Sequence, residues 1–103
     1  MSLPETIQVL GVPFRIELVE FEEEGQCGEC HGLLRVIKIS SVLDTKRQWT
    51  TLVHEFIHAT LFIMGAATEI SDSMEECIAQ SLEHSIEQLI RQVGPELINS
   101  YQD

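Results

Sequence analysis

Two hydrophobic periods divide the chain. Ile7-Gln8-Val9-Leu10 is a short extended run ended by Gly11. From Pro13 to Glu20 the residues alternate, with Phe14, Ile16 and Leu18 on one side and Arg15, Glu17 and Val19 on the other. A strand with one buried face reads this way. Glu22-Glu23-Glu24-Gly25 is a polar turn. Gly28 to His31 and Leu34 to Ser40 then read as a hairpin, and Arg35-Val36-Ile37-Lys38-Ile39-Ser40 alternates cleanly. Together these runs predict a small, mostly antiparallel meander.

Beyond Ser40 the period becomes helical. A first helix is expected from about Thr45 to Met64, stopped by Gly65. A second begins near Ser71 to Ser73 and runs to about Val93, where Gly94-Pro95 ends it, with a short last turn over Glu96 to Tyr101. Its apolar face comprises Met74, Ile78, Leu82, Ile86, Leu89 and Val93. No repeat, linker or low-complexity tract interrupts the pattern. The expectation is one domain over residues 1–103, of class α+β, with the sheet followed by two packed helices.

Composition narrows the partners. Seventeen acidic residues against six basic give a net charge of −11. Phosphate-rich nucleic acid and anionic membrane are therefore not expected as direct partners, since the sequence offers them no basic patch. No run of about 18 apolar residues predicts a membrane span. The N-terminus has no basic region followed by an apolar core, so no secretory signal is expected. Three cysteines, Cys27, Cys30 and Cys77, fit free thiols in a reducing cytoplasm.

The chemistry concentrates in Thr50-Thr51-Leu52-Val53-His54-Glu55-Phe56-Ile57-His58-Ala59. On a helix, His54 and His58 share a face. Two neutral imidazoles at that spacing can chelate one Zn²⁺, and Glu55 between them can take a proton from a metal-bound water. The flanking Leu, Val, Phe, Ile and Ala predict a helix that is almost wholly buried. A buried helix does not carry two histidines and a glutamate without partners, because unpaired polar groups are costly there.

A catalytic zinc keeps three protein ligands and an open position. No histidine lies between His58 and His84, so the third ligand is sought among the carboxylates that open the second helix, Glu75 and Glu76. At 100° per residue Glu75 lies near the middle of the helix's apolar face and Glu76 about 110° from its centre. A metal at the rim of the core, open to water and substrate, favours Glu76. The competing reading makes Glu76 the second half of a capping box with Ser73, and Glu75 remains the alternative ligand.

The run from Thr51 to Ala59, followed by Gly65 and then Glu76-Cys77-Ile78-Ala79-Gln80, resembles the gluzincin metallopeptidases. It is most similar to the small phage-type members of the broad ImmA/IrrE-like, repressor-cleaving clan, over about residues 34–90. The resemblance implies a minimal zincin-like fold, with Glu76 as the third zinc ligand. In that pattern a small residue follows the glutamate by three positions and Asn or Asp by four; Ala79 fits, and Gln80 departs while keeping an amide oxygen that can accept from a ligand histidine.

Other candidates are weaker. Cys27-Gly28-Glu29-Cys30-His31 spells a haem-attachment pattern and half a zinc site, but export and a fourth ligand are both missing. Cys77 is expected in the core. Tyr101, His84, His31 and Arg35 are the available donors for an oxyanion, and no spacing singles one out.

The sequence thus predicts a zinc-dependent metallopeptidase acting on a peptide or protein substrate. His54, His58 and Glu76 are the expected metal ligands and Glu55 the expected base, with the strand Arg35–Ser40 expected to form the rim that aligns an extended substrate. The alternative is a catalytically silent zinc-containing binding module. A purely structural zinc site would need Cys77 or Glu75 as a fourth ligand.

Overall fold

A computed structural model describes residues 2–102. Four strands, β1 (Thr6–Val9), β2 (Val12–Val19), β3 (Gly28–His31) and β4 (Val36–Ser40), precede two helices, α1 (Thr45–Ile63) and α2 (Asp72–Ser100). A single 3₁₀ turn, Ala66–Thr68, links the helices. The fold is α+β. No helix is long and apolar enough to cross a membrane.

The sheet is not a meander. Its order is β1-β2-β4-β3, antiparallel at β1–β2 and β3–β4 but parallel at β2–β4. β3 folds outward as the return limb of a hairpin, and β4 slots in beside β2. The burial of β4 fits its place: Val36, Ile37, Ile39 and Ser40 are all buried in a strand flanked on both sides by neighbours. Its one charge, Lys38, sits in register between Glu17 of β2 and Glu29 of β3, so opposite charges face each other across both pairings. This order corrects the expected rim. β4 has neighbours on both sides and cannot offer its backbone to a substrate, whereas β1 and β3 are the two edges, and β3 is the one that passes Glu55.

Asp44 caps α1 by accepting from the Arg47 N–H at 2.8 Å. α1 lies across the sheet, where Leu52 and Ala59 join Val9, Phe14, Ile37 and Ile39 in the core. The helix is amphipathic rather than wholly buried, since Lys46, Arg47 and Phe56 are exposed.

The edge strand is drawn close to α1 at both of its ends. A Cβ on Gly28 would stand 2.7 Å from Thr51 Cγ2 and 3.0 Å from Glu55 Oε2. One on Gly32 would stand 2.4–2.6 Å from three carbons of the Phe62 ring. Only glycine permits either approach, so these two positions set the distance between β3 and the helix.

α2 opens on Ser71, whose hydroxyl accepts from the Met74 N–H. The cap is therefore Ser71 and not Ser73, which removes the capping-box reading of Glu76. At Val93 the backbone leaves helical geometry (φ −140°, ψ 22°), and a further helical stretch resumes with Pro95 inside it. The expected end at Gly94-Pro95 is thus a kink. Pro95 lacks the N–H that would continue the ladder but suits the first turn of a new helix.

The stripe of α2 turned to α1 is only partly apolar: Ile78 is half-buried and Ile86 lines a cleft with Trp49 and Val53 of α1. Met74, Leu82, Ile86, Leu89 and Val93 are exposed, while Ala79 is buried and Glu75 and Glu83 are partly buried. The small Ala79 lets the helices approach, and the carboxylates on either side of it meet the histidines of α1.

Candidate metal centre

His54 and His58 leave α1 on the same side and meet α2. Their ring centroids are 5.0 Å apart. Each ring has a carboxylate at both nitrogens. His54 Nδ1 lies 2.8 Å from Glu83 Oε1, and His58 Nδ1 lies 2.5 Å from Glu75 Oε2. His54 Nε2 is 2.9 Å from Glu76 Oε1, and His58 Nε2 is 3.1 Å from Glu76 Oε2. One carboxylate, that of Glu76, therefore spans both Nε2 atoms.

Ionised carboxylates only accept, so both Nδ1 atoms must carry protons. With Nδ1 protonated, a neutral ring presents its Nε2 lone pair and can ligate a metal, whereas a protonated ring donates from Nε2 to the Glu76 carboxylate. The donor atoms of His54, His58 and Glu76 all lie within 4.8 Å of one another, the one such group found among the described residues. Ligand atoms around a tetrahedral zinc stand about 3.3 Å apart, from bond lengths of about 2.0–2.1 Å. The contacts of His54 Nε2 with Glu76 Oε1 at 2.9 Å and of His58 Nε2 with Glu76 Oε2 at 3.1 Å are near that spacing. Two nitrogens, one carboxylate oxygen and no fourth protein ligand are a donor set that suits zinc with an open position.

Glu55 stands beside this group. It is 7% exposed, covered by β3 at Gly28. Burial raises its carboxyl above the ordinary value; the charges of His58 and His54 pull it back, and Glu76 and Glu29 push it up again. Burial pulls the His58 imidazole down, but the Glu75 hydrogen bond and the charges of Glu55 and Glu76 outweigh it and leave it raised.

The two carboxylates weighed as third ligand thus take different places. Glu76 is 48% exposed at the rim and faces both Nε2 atoms, whereas Glu75 is 20% exposed and holds Nδ1 of His58. The histidine-orienting role considered for Gln80 falls instead to Glu83. The sequence reading passed over Glu83, although Glu76, Gln80 and Glu83 follow one another at i, i+4 and i+7, the spacing of one helix face.

A polar cleft opens on the group, lined among others by Gly28, Arg47, Glu55, Glu76, Gln80 and His84. Of the four oxyanion donors considered, His84 alone lines it. Tyr101 is exposed at the far end of α2. Arg35 donates to the Gly32 carbonyl and lies over the Phe14 and Phe62 rings. His31 Nε2 is 2.8 Å from Glu29 Oε2 but without hydrogen-bond alignment. Cys27, Cys30 and His31 are not gathered into a metal-binding group. Burial first, then Glu55 and Glu75, push the Cys30 thiol up to about 12, so it stays protonated and is no ready ligand. Cys77, expected in the core, is exposed, and all three cysteines are free.

Compared with protein-family models, with curated proteins and with solved structures, the chain matches none.

Proposed function

We propose that the protein is a zinc-dependent metallopeptidase of gluzincin type. The observation that carries this reading is the pairing of both histidine Nδ1 atoms with carboxylates, which leaves both Nε2 atoms turned to Glu76 beside a buried, otherwise unengaged Glu55. His54, His58 and Glu76 would hold the ion, and Glu83 and Glu75 would fix the histidine tautomers. Zinc held there supplies Lewis acidity, which makes water nucleophilic at neutral pH and polarises a carbonyl.

Glu55 takes the proton from the attacking water and returns it to the leaving nitrogen. Its burial favours that role, since a carboxyl raised above its ordinary value gives the proton back more readily. A peptide or protein substrate enters extended along β3, the sheet edge that passes Glu55, where backbone pairing aligns it. Three free thiols fit a reducing, cytoplasmic setting.

The test begins with zinc per chain after purification without added metal, with one expected. Cleavage of a mixed peptide library is then compared between the wild type and Glu55→Gln. The variant should keep zinc and fold and lose cleavage. If the protein takes up no zinc, the reading is wrong.

The alternative is a zinc-containing binding module without turnover. It is favoured by the sparse oxyanion donors, His84 alone among those considered. That alternative predicts a zinc-loaded wild type that cleaves nothing in the library.

A further inference from the structure

Three of the four arginines have a carboxylate, or a carbonyl and aromatic rings, as partner. Arg15 pairs with Glu17 and Arg91 with Glu87, while Arg35 holds a carbonyl and two aromatic rings. The guanidinium of Arg47 is different. Its hydrogen bond goes to the Cys27 sulfur at 3.6 Å, and no carboxylate pairs with it among the described residues, in a chain with 17 acidic residues. A thiol is a weak acceptor and leaves most of the five guanidinium donors unused.

Arg47 nevertheless lines the same cleft as Glu55, Glu76 and Glu83. It precedes His54 by seven residues on α1. Seven residues turn the helix by about 700° and advance it about 10 Å, so Arg47 and His54 share a face two turns apart.

We infer that Arg47 is a specificity residue that receives a carboxylate of the substrate two to three residues from the bond that is cut. The inference rests on the metallopeptidase reading of this cleft. An extended peptide advances about 3.3 Å per residue, so the helix rise of about 10 Å corresponds to three residues, and the reach of the side chain brings in two. The guanidinium fork matches a carboxylate in two parallel hydrogen bonds, which a thiol cannot offer. The net charge of −11 repels a broadly acidic peptide. The fitting ligand therefore carries one carboxylate at this place in an otherwise neutral or basic segment. A free C-terminus and an Asp or Glu side chain present the same group.

The experiment measures binding rather than turnover. Straight-chain monohydroxamates of dicarboxylic acids, of graded length, are titrated calorimetrically into the zinc-loaded protein against their methyl esters. The hydroxamate grips the metal and the far end reports on Arg47. At the matching length the acid should bind about tenfold more tightly than the ester. Arg47→Gln should abolish the preference and leave ester affinity unchanged, and Arg47→Lys should keep part of it.

Equal binding of acid and ester by the wild type overturns the inference while leaving the metal site standing. A preference that survives Arg47→Gln does the same. Failure of both probes to bind a protein that takes up no zinc overturns the metallopeptidase reading and this inference together. A parallel titration of zinc-loaded Glu55→Gln compares peptides with a free or amidated C-terminus, and with Asp or Asn within the segment. Preference for either carboxylate supports the inference and names its source, and preference for neither overturns it.

Discussion

Glu83 holds the Nδ1 of His54 at 2.8 Å from the neighbouring helix, two turns of α2 beyond the Glu76 that faces its Nε2. The ring is gripped at both ends, which fixes its plane. Glu75 does the same for His58. Removing such a support costs about 10–100-fold in metal affinity, less than removing a ligand. Glu83→Ala and Glu75→Ala should each weaken zinc by about that factor in competition with a chelating dye, and Glu76→Ala should weaken it more. Unchanged affinity in Glu83→Ala would show that the carboxylate does not orient the ring.

The glycines at the ends of β3 should respond differently to an added methyl group. At Gly28 the methyl meets Thr51 Cγ2 and the flexible end of Glu55; at Gly32 it meets the body of the Phe62 ring. Overpacking of this kind costs about 1–3 kcal/mol. Gly32→Ala should lie at the upper end in urea unfolding and be partly rescued by Phe62→Ala. Gly28→Ala should not be rescued by that change. A double-mutant cycle reads the difference directly, and additivity at Gly32 and Phe62 would refute the contact.

Cys30 should make the fold sensitive to alkali. Its thiol is pushed up to about 12 from an ordinary value of 9.0. Between these values the unfolded chain releases the proton and the folded chain keeps it. Unfolding there releases a proton, so stability falls as pH rises from about 9 to about 12 and is unaffected by this group below about 9. Cys30→Ala should flatten that part of a urea-unfolding profile. At neutral pH the exposed Cys77 should be alkylated well before Cys30, and the order can be read by mass spectrometry.

Leu10 sits in the β1–β2 turn with φ 49°, followed by Gly11 with φ 83°. Both central residues of the hairpin turn are left-handed, the geometry that favours Asn-Gly. Leu10 is also exposed, so little burial is lost on replacing it. Leu10→Asn should raise stability by about 0.5–1 kcal/mol, seen as an upward shift in the urea midpoint with an unchanged slope.

Local patterns in the sequence determined the elements. Alternation over Phe14, Ile16 and Leu18 marked β2, the change to a helical period marked α1 and α2, and four-residue spacing placed His54 and His58 on one face. These are short-range properties, and the α+β class follows from their order. Pairing was not legible in the same way. The alternation of β4 is the same whether its neighbour is β2 or β3, and only the assembled sheet puts β2 and β4 side by side, makes β4 interior and leaves β3 as the edge over α1.

The helical wheel of α2 put Glu75 near the middle of the inward face but, weighing apolarity alone, gave no sign that carboxylates are the groups that meet α1 there. The stripe that meets the histidines is Glu75, Ala79 and Glu83, and its two carboxylates are stable there because each meets a histidine on the other helix. Whether a carboxylate is stranded or partnered depends on the chain packed against it. The tertiary structure alone therefore decided that Glu75 and Glu83 hold the rings while Glu76 faces both open nitrogens.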